Sequence, residues 1–364
     1  MSDRVLMKGN EAVCRGAVAA GCKAFFGYPI TPQNEVPEIM SWLMPQNGGV
    51  FLQAESELAA INMVYGASCA GVRAMTSSSS PGISLKQEGI SYMVGCELPA
   101  VIVNVQRGGP GLGNIAPSQS DYFQAVKGGG HGDYHCLTLA PWSVEESFEL
   151  TALAFELADK YRNPAMVLTD GMLGQMLEAM PRNKHFETKQ YPKPWATTGC
   201  KGRPPNVINS LYMVPEDMEA VNLRIQARYA QAEVEDVRFD EYRAQDADLV
   251  LVAYGTVGRI CRTVVDLARE EGYSVGLLRP ISLYPFPKEP LRELALDGKL
   301  LLTVEMSCGQ MVEDVRLSTC GLTEVHFYGR TGGVVPDQLQ VLDQIRGILP
   351  RLVGGRFQRA EVAK

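Results

Sequence analysis

The chain has 364 residues, of which 46% are hydrophobic and 21% charged, the balance of a folded protein with room for two domains of ordinary size. Its 34 basic and 41 acidic side chains leave a net charge of −7, which argues against nucleic acid or an anionic membrane as the main partner. No apolar run approaches the roughly 18 residues of a membrane span.

In chain order, Met1-Ser2-Asp3-Arg4 is expected to run directly into a helical pattern, with no leader or cleavage site, so a cytoplasmic setting is expected. Ala12, Val13, Ala17 and Ala20 recur at helical spacing up to Gly21. Ala24–Gly27 reads as a strand, followed by the turn Tyr28-Pro29-Ile30-Thr31-Pro32. Val50–Gln53 is a second strand, and a helix spans about Ser56 to Ala70. Ala74–Thr76 is a strand leading into a loop, Ser77–Gly82, with a helix from there to about Val94. Ala100–Val105 is a continuous β-branched run, as expected of a parallel strand covered on both faces, and it ends in Gln106-Arg107-Gly108-Gly109. Cys136–Leu139 and Ala165–Leu168 are further strands around a helix at Ser143–Tyr161.

These alternations predict an α/β fold of two doubly wound open-sheet domains. The first spans 1–180, a packed connecting segment 181–245, and the second 246–364. In the second, Leu249–Ala253, Val275–Leu278 and Leu300–Glu305 are strands, Gly255–Gly258 is a turn, and Ile260–Gly272 and Met311–Cys320 are helices. The nine cysteines are never closer than eight apart, a spacing that fits neither a zinc knuckle nor an iron–sulfur run, so reduced and mostly buried thiols are expected.

Ligands of open parallel sheets bind beyond the carboxyl ends of the strands. Four segments fall there: Tyr28–Pro32, Glu55-Ser56-Glu57, Thr76–Gly82 and Gln106–Gly109. They bring a hydroxyl, a carboxylate, a serine/glycine loop and a guanidinium to one rim, suited to an anionic substrate beside an aromatic cofactor. Each has a plainer explanation alone: the prolines shape a turn, the glutamates start a helix and complement its dipole, and the glycines make a sharp loop. Arg107, ending an apolar strand, needs a partner. No GxGxxG follows a first strand and there is no Walker lysine, which argues against a Rossmann dehydrogenase. His131 and His135 stand four apart, but the surrounding glycines argue against a helix and a zinc site. Asp170 is expected to cap a helix or hold a loop.

The stretches Gly9-Asn10-Glu11-Ala12, Gly27-Tyr28-Pro29-Ile30-Thr31-Pro32, Glu55-Ser56-Glu57-Leu58-Ala59-Ala60, Ser80-Pro81-Gly82-Ile83-Ser84-Leu85 and Val105-Gln106-Arg107-Gly108-Gly109-Pro110, in that order, resemble the alpha subunit of 2-oxoacid:ferredoxin oxidoreductases. The resemblance covers essentially the whole chain and implies a transketolase-type pyrimidine-binding domain followed by a transketolase C-terminal-like domain. It implies thiamine diphosphate shared with a beta subunit, which would carry the diphosphate site, Mg2+ and iron–sulfur clusters. Gamma and ferredoxin-like delta subunits, ferredoxin and coenzyme A are the further partners, so the chain would be inactive alone. No Gly-Asp-Gly with a suitably spaced Asn is present, in keeping with half a site.

By the same resemblance, Glu57 rather than Glu55 is the glutamate that bonds the pyrimidine nitrogen of thiamine. Arg107 and Thr31 are matched to the substrate, Tyr28 and Pro29 to the pyrimidine ring, and Ser79 and Ser80 to the same rim. The activity implied is oxidative decarboxylation of a 2-oxoacid to acyl-CoA and CO2. Asn10-Glu11-Ala12 and Pro32-Gln33-Asn34-Glu35 look most like the branched-chain (3-methyl-2-oxobutanoate) group. A 2-oxoglutarate enzyme would need a second basic group, for which His131 or Lys127 are the candidates. A non-catalytic scaffold is a further alternative, against which the joint presence of Thr31, Glu57 and Arg107 argues.

Overall fold

A computed structural model describes residues 4–349, together with the backbone of 352–353 and 356–357. The chain opens not with the expected helix but with strand β1 (Arg4–Lys8), and α1 (Gly9–Ala19) follows at once. The first sheet is then built from β2 (Ala24–Gly27), α2 (Glu35–Gln46), β3 (Val50–Gln53), α3 (Glu57–Cys69), β4 (Ala74–Ser78), α4 (Ser80–Gly95) and β5 (Ala100–Gln106). After α5 (Tyr122–Val126) come β6 (Leu137–Leu139), α6 (Val144–Tyr161), β7 (Pro164–Asp170), α7 (Gly171–Gln175) and β8 (Leu177–Pro181). Helix α8 (Pro215–Glu235) and β9 (Phe239–Tyr242) lead to β10 (Leu249–Val252), α9 (Gly255–Glu270), β11 (Val275–Pro280), β12 (Ser282–Tyr284), α10 (Lys288–Leu296), β13 (Leu300–Glu305), α11 (Met311–Thr319), β14 (Val325–Gly329) and α12 (Gln338–Ile348). Residues 352–353 and 356–357 pair as short strands.

Two mostly parallel sheets result. The first has the strand order β12-β6-β7-β5-β4-β2-β3 and the second β14-β13-β10-β11-β9, each with one antiparallel edge strand. β12, far along the chain, crosses over to close the first sheet, while β9, from the end of the connecting segment, closes the second. Every residue of β4, β5 and β7 is buried, which is why these strands carry no polar/apolar alternation. Within 181–245, Phe186, Trp195, Ile208 and Tyr212 pack on the first core, as do the buried Val221, Ile225, Tyr229 and Ala232 of α8. Among the described residues no helix is long and apolar enough to cross a membrane.

Two expected loops are helix starts. Strand β4 runs on to Ser78, and α4 begins at Ser80 with Pro81 in its first turn, where the missing N–H costs nothing. Gly255 takes φ +54, so the chain turns directly into α9 without a separate turn. All nine cysteines are free, and five are buried.

A network of polar contacts locks the second sheet to the first. Gln119 exchanges two hydrogen bonds with Met306 and donates a third to Tyr254 O. Arg279, almost wholly buried on β11, makes a bidentate pair with Glu146 of α6 at 2.7 and 2.8 Å and lies 3.9 Å over the Trp142 ring. Asp170 caps α7 through Met172 N and Leu173 N, and its other oxygen accepts from Thr256 at 2.6 Å.

Candidate active site

The rim lies where the carboxyl ends of β2, β4 and β5 meet the start of α3. The turn after β2 would be free to swing were it not for Gln33. That side chain is fully buried, accepts from Ser77 Oγ at 2.5 Å and donates to Tyr28 O at 3.2 Å, tying both ends of Tyr28–Pro32 across β4. Asn10 and Gln175 donate to Pro32 O at 3.0 and 3.3 Å. Thr31 Oγ1 accepts from Asn34 at 3.1 Å, which leaves its own hydrogen to give away.

Arg107 reaches the same turn. Its Nη1 donates to Thr31 O and its Nη2 to Leu112 O, both at 3.0 Å, while Nε is buried with no partner. The side chain is only 6% exposed in the whole residue, yet its two partners are neutral carbonyls. A buried guanidinium in this state offers a strong site for a carboxylate. Thr31 and Arg107 are thus brought together.

Glu57 is the first residue of α3, whose N-cap Ser56 accepts from Ala59 N at 3.2 Å, and it is 6% exposed. Its carboxyl fits against the backbone of α4 only because residue 82 is glycine: a Cβ there would stand 2.6 Å from Glu57 Oε1 and also strike Ser78 Oγ. The carboxyl oxygens hold no hydrogen bond from any described residue. Glu55, by contrast, is exposed and bonds only its neighbour Ser56.

The serines divide. Ser80 gives its hydrogen to Asp121 Oδ2 at 2.5 Å and accepts from Arg107 N at 3.0 Å, so it orients the strand end. Asp121 also accepts from Asn104, and burial raises its carboxyl above the usual range. Ser78 and Ser79 are buried with hydroxyls that have no partner. Tyr28 is half-buried and Pro29 exposed at the lip. His131 and His135 do not converge: His135 stacks on Tyr284 at 4.2 Å, whereas His131 meets Tyr92 edge-on.

Gln33, Gly82 and Asp121 shape this rim, and their partners lie 44, 25 and 41 residues away in sequence (77−33, 82−57, 121−80). The available signal was a polar residue, Gln33, set directly after Thr-Pro at the mouth of an apolar unit.

The domain that carries this rim is that of a thiamine-diphosphate-binding oxidoreductase subunit. Residues 15–243 match the family described as pyruvate flavodoxin/ferredoxin oxidoreductase, thiamine diphosphate-binding, and residues 247–341 match the pyruvate:ferredoxin oxidoreductase core domain II. The chain belongs to this family and is its alpha subunit. It is 51% identical over 343 residues to the ketoisovalerate oxidoreductase subunit VorB of Methanothermobacter thermautotrophicus, covering 94% of this chain and 97% of that one. To the 2-oxoglutarate synthase subunit KorA of Archaeoglobus fulgidus it is 38% identical over 344 residues, covering 92% and 96%. A solved 2-oxoglutarate:ferredoxin oxidoreductase from Magnetococcus marinus, with 2-oxoglutarate, coenzyme A and succinyl-CoA bound, superposes with a TM-score of 0.85 at 27% identity. The match covers 95% of this chain, which spans 65% of the length of that one.

Proposed function

We propose that this chain is the alpha subunit of a branched-chain 2-oxoacid:ferredoxin oxidoreductase, converting 3-methyl-2-oxobutanoate and coenzyme A to acyl-CoA and CO2, with two electrons passed to ferredoxin. The observation that carries the site is Glu57, a buried residue whose carboxyl accepts no hydrogen bond from a described residue, on a rim it shares with Thr31 and with Arg107, whose bonded partners are neutral carbonyls. Thiamine diphosphate, when bound, supplies the carbon nucleophile and the electron sink. Glu57 holds a proton at the pyrimidine ring nitrogen, Arg107 takes the substrate carboxylate by charge-assisted bonds, and Thr31 donates to an oxygen of the same substrate. Tyr28, Pro29 and Ser79 flank the ring.

The diphosphate, Mg2+ and iron–sulfur clusters belong to a beta subunit, with gamma and delta subunits completing a cytoplasmic complex. Exposed Leu52, Leu58 and Leu85 stand on β3, α3 and α4, close in sequence to the rim segments, an apolar surface suited to that partner. The branched-chain substrate is favoured by the higher identity to the ketoisovalerate relative and by the fate of the two candidate second cations. Lys127 is paired with Asp314, and His131 lies beside Tyr92, twelve residues beyond Ser80 and so about 18 Å along α4. In the complex assembled with its partner subunits and a viologen acceptor, kcat/KM for 3-methyl-2-oxobutanoate should exceed that for 2-oxoglutarate by about 100-fold. Equal or reversed preference would overturn the substrate assignment.

A further inference from the structure

Behind Glu57 lies a charged group that the proposed chemistry leaves unused. Lys86 sits on α4 one turn beyond Gly82, so both face α3, and it is completely buried. Its Nζ donates to Thr76 Oγ1 of β4 at 3.1 Å and reaches Glu57 O at 3.5 Å. Glu57 is the charged group that faces it from α3, and β4 presents the neutral Thr76 hydroxyl. Burial lowers the amine to about 8, against the opposing pull of Glu57. Such burial is costly, and the α3–α4 contact already has an apolar seam, with Gly89 closed on Ile61. A purely structural position would be better served by methionine or leucine.

We propose that Lys86 is a positioning residue for Glu57: bonded to the carbonyl of the same residue, it fixes the first turn of α3 and keeps a positive charge close to that turn, and so sets where the Glu57 carboxyl stands toward the cofactor ring. This rests on the reading of Glu57 as the residue that meets the thiamine ring nitrogen.

The test uses the assembled complex with thiamine diphosphate and no 2-oxoacid. The rate at which the cofactor's C2 proton exchanges with solvent deuterium is read by NMR after acid quench. Lys86→Met should slow exchange by about ten-fold or more while thiamine diphosphate affinity stays within about three-fold. Glu57→Gln should also be slow, and the double variant no slower than Glu57→Gln alone, since the lysine acts only through the glutamate. The wild-type exchange profile should carry an inflection near pH 8 that Lys86→Met lacks. Should Lys86→Met fail to assemble, the isosteric Thr76→Val supplies the same test, with a smaller loss in the same direction. Wild-type exchange in Lys86→Met, or in Thr76→Val where that substitutes for it, or losses that add in the double variant, would overturn the role of the lysine. Wild-type exchange in Glu57→Gln would overturn the Glu57 reading as well.

Discussion

Two buried glutamates sit near strand ends in the two halves of this molecule, and they are treated in opposite ways. Glu305, the last residue of β13, accepts four hydrogen bonds: from Ser307 Oγ at 2.9 Å and from the backbone N–H groups of Gln310, Met311 and Val312 at 3.2, 3.0 and 2.9 Å. Its carboxyl closes the start of α11, whose first N–H groups have no partner inside the helix. Glu57, also a buried residue at a helix start though 6% exposed against 0% for Glu305, receives none through its carboxyl, and the cap of α3 is given instead to Ser56. Burial is therefore common to both and distinguishes neither. The difference is whether the protein itself satisfies the group: among the described residues none donates to the Glu57 carboxyl, and Arg107 on the same rim is bonded through Nη1 and Nη2 to neutral carbonyls with Nε unpartnered.

The sharpest way to break this comparison is to exchange the consequences. Glu57→Ala should reduce turnover of the assembled complex by about 1,000-fold, with subunit assembly and melting temperature essentially unchanged. Glu305→Ala should do the reverse. With three backbone N–H groups left unpaired in the interior, unfolding free energy should fall by about 2–4 kcal/mol in urea titrations, while turnover per folded molecule is retained. If Glu57→Ala melts early at full activity, the distinction between the two is wrong.

Arg107 sharpens the same point from the cationic side. Arg107→Gln should raise KM for the 2-oxoacid by about 10–100-fold, the loss of a charge-assisted pair, and leave thiamine diphosphate affinity within about two-fold. A uniform loss of both would place Arg107 in cofactor binding or in the fold of the loop, through its bond to Leu112 O.

The sequence made the strands of the first sheet legible because β2, β3 and β5 are short, mainly apolar runs, broken in β5 only by Asn104, bounded by glycine, proline or polar turns. Helix α2 was hidden by Pro37 and Pro45, of which the first falls in the opening turn and the second near the end, where neither breaks the helix. Strands β1, β8, β9 and β12 escaped notice for another reason. Each has three to five residues and gains its partner from a distant segment: β1 from β8, and β12 from β6, 143 residues earlier (282−139). Local periodicity carries no record of such pairings. At the site the motif residues Thr31, Glu57 and Arg107 were legible as types at strand ends. What holds them was not, because Gln33, Gly82 and Lys86 act through space on residues 25 to 44 positions away. Ser80 shows the converse: placed on the rim by sequence, it is tied to Asp121 and supports the strand end.

The last expected effect is on stability alone, at Lys86, and separates cost from purpose. Its amine is pulled from 10.5 to about 8 by burial, so the native state disfavours the proton that the unfolded chain keeps. Below pH 8 both states are protonated and the cost of the buried charge is fully present. Between 8 and 10.5 the unfolded chain binds more protons than the native one, and stability rises with pH. Above 10.5 neither state carries the proton and the cost is gone. Relative to Lys86→Met, which has no such group, the wild type should therefore gain about 2–3 kcal/mol between pH 7 and pH 10.5, read as the change in the difference of their urea midpoints. A difference that stays flat with pH would mean that the lysine is not sealed from water, and its positive charge would then be too strongly screened to matter to Glu57.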